Sequence, residues 1–103
     1  MATLHIEHAI ADYPTWKAAF DRFSDRRAEA GVTAYRIHQP ADNPAYVVLQ
    51  LDFATVGQAR AFLDFLEARV WSVPASSPGL SGSPTARILV AAPQPDDGAD
   101  GSS

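Results

Sequence analysis

Three ionisable side chains, His5, Glu7 and His8, stand within four residues near the start of the chain. Imidazole and carboxylate are groups that enzymes use to take and return protons near neutral pH. In Leu4-His5-Ile6-Glu7-His8-Ala9-Ile10 the residue types alternate, the period-two signature of a strand. His8 falls in phase with Leu4, Ile6 and Ile10, whereas His5 and Glu7 fall on the opposite face. An imidazole on an apolar face has two readings. It is a core group hydrogen-bonded to a backbone carbonyl, or it is a general base or substrate anchor whose pKa partial burial tunes.

The second face of the same sheet gathers His5, Glu7, Arg36, His38, Gln50 and Arg87. One reading is a network of paired charges in which Glu7 and Arg87, on adjacent strands, form an ion pair. The other is a polar cavity between two sheets, where Glu7 or His38 handles protons and an arginine holds an anionic substrate. His5, Glu7 and His38 also make a two-histidine, one-carboxylate set. No spacing enforces it, so neither a metal nor a cofactor is expected.

The elements that position these groups follow in order. Asp12 is a fitting N-cap and Pro14 suits a first helical turn, with Trp16, Ala19, Phe20, Phe23 and Ala30 at helical spacing and Gly31 as the stop. One helix is expected over residues 13–30. Residues 32–39 alternate, with Thr33, Tyr35 and Ile37 on one side and Ala34, Arg36 and His38 on the other. Pro40-Ala41-Asp42-Asn43-Pro44 is a turn, and residues 45–53 form the next strand.

Thr55 and Gln58 have capping-box spacing ahead of a stripe formed by Val56, Ala59, Phe62, Leu63, Leu66 and Val70. Residues 71–84 are rich in Pro, Gly and Ser and read as a loop closing over a pocket. The last strand is expected over 85–92. Residues 1–92 then form one domain, and the tail 93–103 is expected to be disordered.

The order βαββαβ predicts an α+β, ferredoxin-like fold: a four-stranded antiparallel sheet with two helices on one face. Strand one lies at the centre, beside strands three and four. His8, Trp16, His38, Tyr46, Trp71, Arg87 and the long loop are then expected at one end of the domain, which is where a small-molecule pocket is placed. The tryptophans serve either as packing residues or as aromatic walls.

Composition narrows the class. The chain has 103 residues, 47% hydrophobic and 19% charged, which suits one compact domain. A chain of this size leaves one sheet face to cover, so a homodimer through that face is expected. Asp96, Asp97 and Asp100 account for three of the 12 acidic residues, leaving 9 against 8 basic ones in the body of the chain. Arg22, Arg26 and Arg27 are interleaved with Asp21, Asp25 and Glu29, so nucleic acid is not an expected partner.

The absence of cysteine excludes disulfides, thiolate metal sites and a cysteine nucleophile. No signal-peptide pattern or membrane-length apolar run is present, so the membrane is not an expected partner and the expected location is cytoplasmic.

Residues 2–92 resemble the dimeric α+β barrel superfamily. The resemblance is carried by Thr3-Leu4-His5-Ile6-Glu7-His8, by Asp12-Tyr13-Pro14-Thr15-Trp16-Lys17-Ala18-Ala19-Phe20-Asp21, and by the Gly-rich connection into Ala86-Arg87-Ile88-Leu89. The chain looks most like small bacterial proteins labelled cyclase-like or grouped with antibiotic-biosynthesis monooxygenases. That resemblance implies a homodimer whose subunits each hold a small, mostly apolar pocket, with polyketide-like aromatic substrates oxidised or cyclised.

Some cofactor-independent, quinone-forming members use a Trp, an Asn one turn before it, a Tyr and an Arg. Trp71 and Arg87 stand for two of these, while Glu67 occupies the place of the Asn. The Asn and His pattern of heme-degrading members is not found. The expectation is a cofactor-free enzyme acting on an aromatic or polyketide-like compound, or else a non-catalytic ligand-binding or regulatory module. In the enzyme reading His8 moves the proton and Arg87 steadies an enolate or phenolate. Trp16, Tyr46 and Trp71 enclose the rings, with Tyr13 and Arg36 as further substrate contacts.

Overall fold

Alternation along the first strand is realised in full. In a computed structural model, which describes residues 1–71 and 80–92, β1 (Ala2–Ile10) buries Ala2, Leu4, Ile6, His8 and Ile10 and leaves the intervening side chains half-buried. β3 (Tyr46–Phe53) pairs with it antiparallel, setting Leu4 opposite Leu51, Ile6 opposite Leu49 and His8 opposite Val47. Val47, Leu49, Leu51 and Phe53 therefore extend the same buried face, as the two-residue side-chain period requires. β2 (Val32–His38) flanks β3 and β4 (Leu80–Val90) flanks β1, giving an antiparallel sheet in the order β2-β3-β1-β4.

The expected first helix is two helices. α1 (Tyr13–Arg22) starts where Asp12 accepts the Thr15 N–H at 2.8 Å and the Thr15 hydroxyl at 3.0 Å, with proline in its first turn. The helix breaks at Phe23, whose φ of -98° and ψ of 15° lie outside the helical basin, and α2 (Ser24–Ala30) follows. At the break the Phe20 carbonyl accepts both the Phe23 N–H and the guanidinium of Arg27. An arginine folded back onto the preceding helix thus competes for a backbone acceptor. Gly31 ends α2 in the left-handed region at φ 96°.

The hairpin from β2 to β3 turns through Asn43, whose side chain accepts the Ala45 N–H at 3.0 Å. Thr55 and Gln58 make both capping-box bonds, at 3.1 and 3.2 Å, ahead of α3 (Val56–Phe65). Residues Leu66–Val70 continue it as a π-helical turn, closed by the Trp71 N–H on the Leu66 carbonyl at 2.7 Å. β4 begins at Leu80, five residues before the expected start, so part of the anticipated loop is strand. The rest of that loop, residues 72–79, and the tail from 93 lie outside the described residues.

The chain therefore has the ferredoxin-like βαββαβ order, with its first helix divided. Opposite β1, the β4 ladder shifts register: Glu7 faces Thr85 but Ala9 faces Ser81, so two residues of β1 span four of β4. The extra length is on β4, and the faces of β1 are undisturbed. Leu4, Ile6, Val47, Leu51 and Phe53 are wholly buried between sheet and helices, together with Phe20, Ala59 and Phe62. Each large apolar side chain so buried contributes about 1.5–3 kcal/mol. Among the described residues no helix is long and apolar enough to cross a membrane.

Candidate active site

The pleat of β1 separates two groups of polar side chains. His8 lies under the helices, 4% exposed, and its Nδ1 is 3.0 Å from the Ala9 carbonyl. A carbonyl only accepts, so Nδ1 carries the proton and the neutral ring presents its lone pair at Nε2. Burial pulls the His8 pKa below its ordinary value of 6.5, with the Ala9 hydrogen bond opposing. At neutral pH His8 is an uncharged base in an apolar setting.

That setting is a cavity of about 80 Å³ between sheet and helices, with His8, Trp16, Arg27, Phe62, Val70 and Trp71 in its lining. A row of aromatic rings runs along its α1 side. Trp16 stacks on Phe20 at 5.2 Å between centroids, Tyr13 lies 5.9 Å from Trp16, and the His8 ring lies 6.0 Å from it. The π-helical turn adds Leu66 and Val70 to the lining, and Trp71 follows as its C-cap. Such turns frequently occur at functional sites.

Arg27 is the cavity-lining residue that was not anticipated as part of a site. It is 6% exposed, its guanidinium sits 3.7 Å from the centroid of Phe20 and 5.4 Å from that of Tyr35, and burial lowers its pKa. The signal was present in the sequence. Residue 27 is in helical phase with Trp16, Phe20, Phe23 and Ala30, so an arginine occupied a position on the apolar stripe.

On the other sheet face the side chains form a continuous hydrogen-bonded chain. The Tyr46 hydroxyl donates to Glu7 Oε1 at 3.0 Å, and His5 Nε2 lies 2.7 Å from Glu7 Oε2. Gln50 Nε2 is 3.0 Å from His5 Nδ1, while its Oε1 accepts from Arg36 Nε at 3.1 Å. Arg36 closes on Asp52 with two bonds of 2.9 Å, and Asp52 accepts the Thr3 hydroxyl at 2.8 Å. The His5 and Tyr46 bonds pull the Glu7 carboxyl below its ordinary range, and Arg36 and Thr3 do the same for Asp52. The hydrogen bond to Glu7 in turn raises the Tyr46 phenol.

The residues expected at one end of the domain lie on both faces of the sheet, as the alternation along the strands requires. His8, Trp16 and Trp71 meet at the cavity, with Tyr13 packed against Trp16. Tyr46, Glu7 and Arg36 belong to the opposite face, as does His38, which pairs with Val48 on the edge strand. Arg87 pairs with His5 on that face too, one ladder step from Glu7. Its charge helps to lower the Glu7 pKa, but the carboxylate's hydrogen bonds go to His5 and Tyr46 rather than to the arginine expected. Among the described residues no group of three His, Asp or Glu side chains is arranged to hold a metal.

No family model and no curated protein matches the sequence. Solved structures do. SnoaB, a cofactor-independent oxygenase from Streptomyces nogalater, is 15% identical and aligns over 93% of this chain and 97% of its own at a TM-score of 0.66. A protein from Nitrosomonas europaea described as an antibiotic biosynthesis monooxygenase is 18% identical over 88% of this chain and 98% of its own, TM-score 0.63. The monooxygenase ActVA-Orf6 of Streptomyces coelicolor, solved with nanaomycin D, is 17% identical over 92% of each chain, TM-score 0.60. The chain thus shares the ferredoxin-like fold of the antibiotic biosynthesis monooxygenase proteins, as its resemblance to the superfamily implied.

Proposed function

We propose that this chain is a small-molecule enzyme that acts without a cofactor on an aromatic or polyketide-like substrate, with His8 as the proton acceptor. The observation that carries the reading is the state of His8. It is buried and neutral, its Nδ1–H is committed to Ala9, and its ring lines an apolar cavity beside Trp16. A substrate phenol or enol placed at Nε2 would lose its proton there, and the resulting anion, removed from water, is the reactive species. It then closes a ring onto a carbonyl of the same molecule or reacts with dioxygen.

For oxygenation of a phenol, one oxygen atom becomes a new ring carbonyl. The other leaves as water with the displaced ring hydrogen and the phenolic hydrogen, so the substrate loses four electrons and no further reductant is needed. The names of SnoaB and of the ActVA-Orf6 complex support this class of chemistry and ligand. A cavity of about 80 Å³ is roughly half the ~150 Å³ that admits a benzene ring. Substrate entry therefore displaces lining side chains, and half-buried Trp71 is the first candidate.

The test is oxygen uptake and product analysis with a panel of polycyclic phenols and no added cofactor, comparing wild type with His8→Gln. A loss of about 10²–10⁴-fold in kcat is expected for the variant. Full turnover by His8→Gln would remove the proposed role. A phenol that binds in the cavity and is recovered unchanged would favour a ligand-binding or regulatory module instead.

The face opposite the helices is where a second copy packs in this reading. It carries half-buried Val48 and exposed Leu89 around the hydrogen-bonded chain, and a sheet face left in water is completed by association. Size exclusion with light scattering should give a dimer, and Val48→Asp should convert it to a monomer. A monomeric wild type at micromolar concentration would defeat this arrangement.

A further inference from the structure

We infer that Arg27 is the anion-binding residue of the cavity, and that the ligand it selects is an aromatic compound carrying an ionised oxygen, a phenolate, an enolate or a carboxylate. The inference rests on the cavity being the substrate site and names what that substrate must carry.

A guanidinium offers five N–H donors in a planar fork. Among the described residues the hydrogen bond made by the Arg27 side chain goes to the Phe20 carbonyl, from Nη1, and its face is covered by the Phe20 ring at 3.7 Å. No carboxylate closes an ion pair with it among those residues. Asp21, whose negative charge acts on Arg27, is held by Lys17 Nζ through both oxygens, at 2.8 and 2.9 Å. The result is a buried cation with donors to spare, lining a cavity whose other walls are almost wholly apolar.

Burying a charge without a counter-ion is costly, and buried donors are ordinarily satisfied. Carrying such a group is accounted for if a ligand supplies the anion. The two hydrogen-bonding groups then divide the work. His8 has an acceptor at Nε2 and takes a proton, whereas Arg27 has donors only and stabilises the charge left behind. Arg87, the anion holder expected from the sequence, shares the face of His5 on the far side of the sheet.

Carbonyl bonding and stacking on Phe20 would by themselves make Arg27 a packing residue, and that role predicts no preference between a charged ligand and its neutral counterpart. The experiment uses a hydroxynaphthoquinone that is ionised at neutral pH and its uncharged methyl ether. Dissociation constants are measured by fluorescence quenching of the tryptophans for the wild-type chain, Arg27→Met and Arg27→Lys. A charge-assisted hydrogen bond is stronger than a neutral one, and more so where water is excluded. The wild type should accordingly bind the anion some tenfold to hundredfold more tightly than the ether.

Arg27→Met, which keeps the unbranched stem over Phe20, should bind the two alike, at the wild type's affinity for the ether. Arg27→Lys should retain part of the preference. Equal binding of anion and ether by the wild type would overturn the inference, whatever the variants do, while leaving the apolar pocket standing. A preference that survives in Arg27→Met would overturn it as well. If neither probe binds, the inference and the reading of the cavity as a substrate site fall together.

Discussion

His5 and Glu7 share a 2.7 Å hydrogen bond across the pleat of β1, and that contact orders the protons of the whole open-face chain. Arg36 Nε can only donate, so it fixes Gln50 Oε1 as its acceptor and turns the Gln50 amide N–H toward His5 Nδ1. His5 therefore carries its proton on Nε2 and gives it to Glu7, which also receives the Tyr46 hydroxyl. Each contact in the row from Arg36 to Tyr46 then pairs a donor with an acceptor while His5 is neutral.

Replacing Glu7 should be read out at Tyr46. The carboxylate raises the Tyr46 pKa by accepting its hydrogen bond and opposing a second negative charge. In Glu7→Gln one tyrosine of the three should therefore ionise at lower pH than in wild type, seen as an earlier phase in an alkaline absorbance titration. On the acid side the folded carboxyl titrates below its ordinary 4.5. Its contribution to stability is present above that value and is lost as pH falls through the folded pKa. The variant should lack that portion of the acid loss, and an unchanged tyrosine titration would show that the bond does not persist in solution.

His8 sets a second and higher acid window. Its folded pKa is depressed below 6.5, so between that value and the folded pKa the unfolded chain holds a proton that the folded chain does not. With more protons bound in the unfolded state, stability rises with pH across this window and declines as pH falls from 6.5 toward the folded pKa. Urea unfolding at a series of pH values should show this step in wild type and not in His8→Gln. An NMR titration that placed the His8 midpoint above 6.5 would contradict the burial on which its role as a base depends.

The fold was legible because two periods were written plainly. Leu4, Ile6, His8 and Ile10 repeat every second residue, and Phe62, Leu66 and Val70 every fourth, so both the strand and the helix that follows Thr55 could be placed. The break at Phe23 was not legible, since helical phase runs straight through it. It coincides with the bond from Arg27 back to the Phe20 carbonyl, a side-chain contact between the two helices that periodicity does not encode. The site was half legible. His8, Trp16 and Trp71 reach one cavity, and pleat parity assigns His38 and Arg87 to the face of His5, where the structure has them, but the pattern does not link Tyr46 to Glu7 on that face. Arg27 is harder to read, because a charge within a helix is ordinarily assigned to water.

Gly31 couples the end of α2 to the start of α3. Its φ of 96° is a left-handed conformation, and a Cβ there would come within 2.8 Å of Gln58 Nε2, the side chain that closes the capping box with Thr55. The backbone conformation alone costs an L-residue about 1–2 kcal/mol. Gly31→Ala should lose at least that much in urea unfolding. Adding Gln58→Ala should relieve the clash while forfeiting the cap, so the double variant should be more stable than the sum of the single losses implies. Strict additivity would show that Gln58 gives way freely.

Ala19 separates what the cavity contributes to stability from what it contributes to binding. The residue is 7% exposed and lies in the lining between Trp16 and Phe20. Leucine at this position extends three carbons into the free space and suits a helix. Filling a void restores dispersion contacts that its walls lack, an effect commonly worth about 0.5–2 kcal/mol. Ala19→Leu should therefore raise the thermal midpoint and at the same time weaken binding of an aromatic probe at least tenfold. A packing defect would give the first effect without any ligand to lose, and a substrate site gives both. A lowered midpoint would mean that the space is already committed to the motions of Trp16 and Trp71, so that leucine collides with them rather than filling a gap.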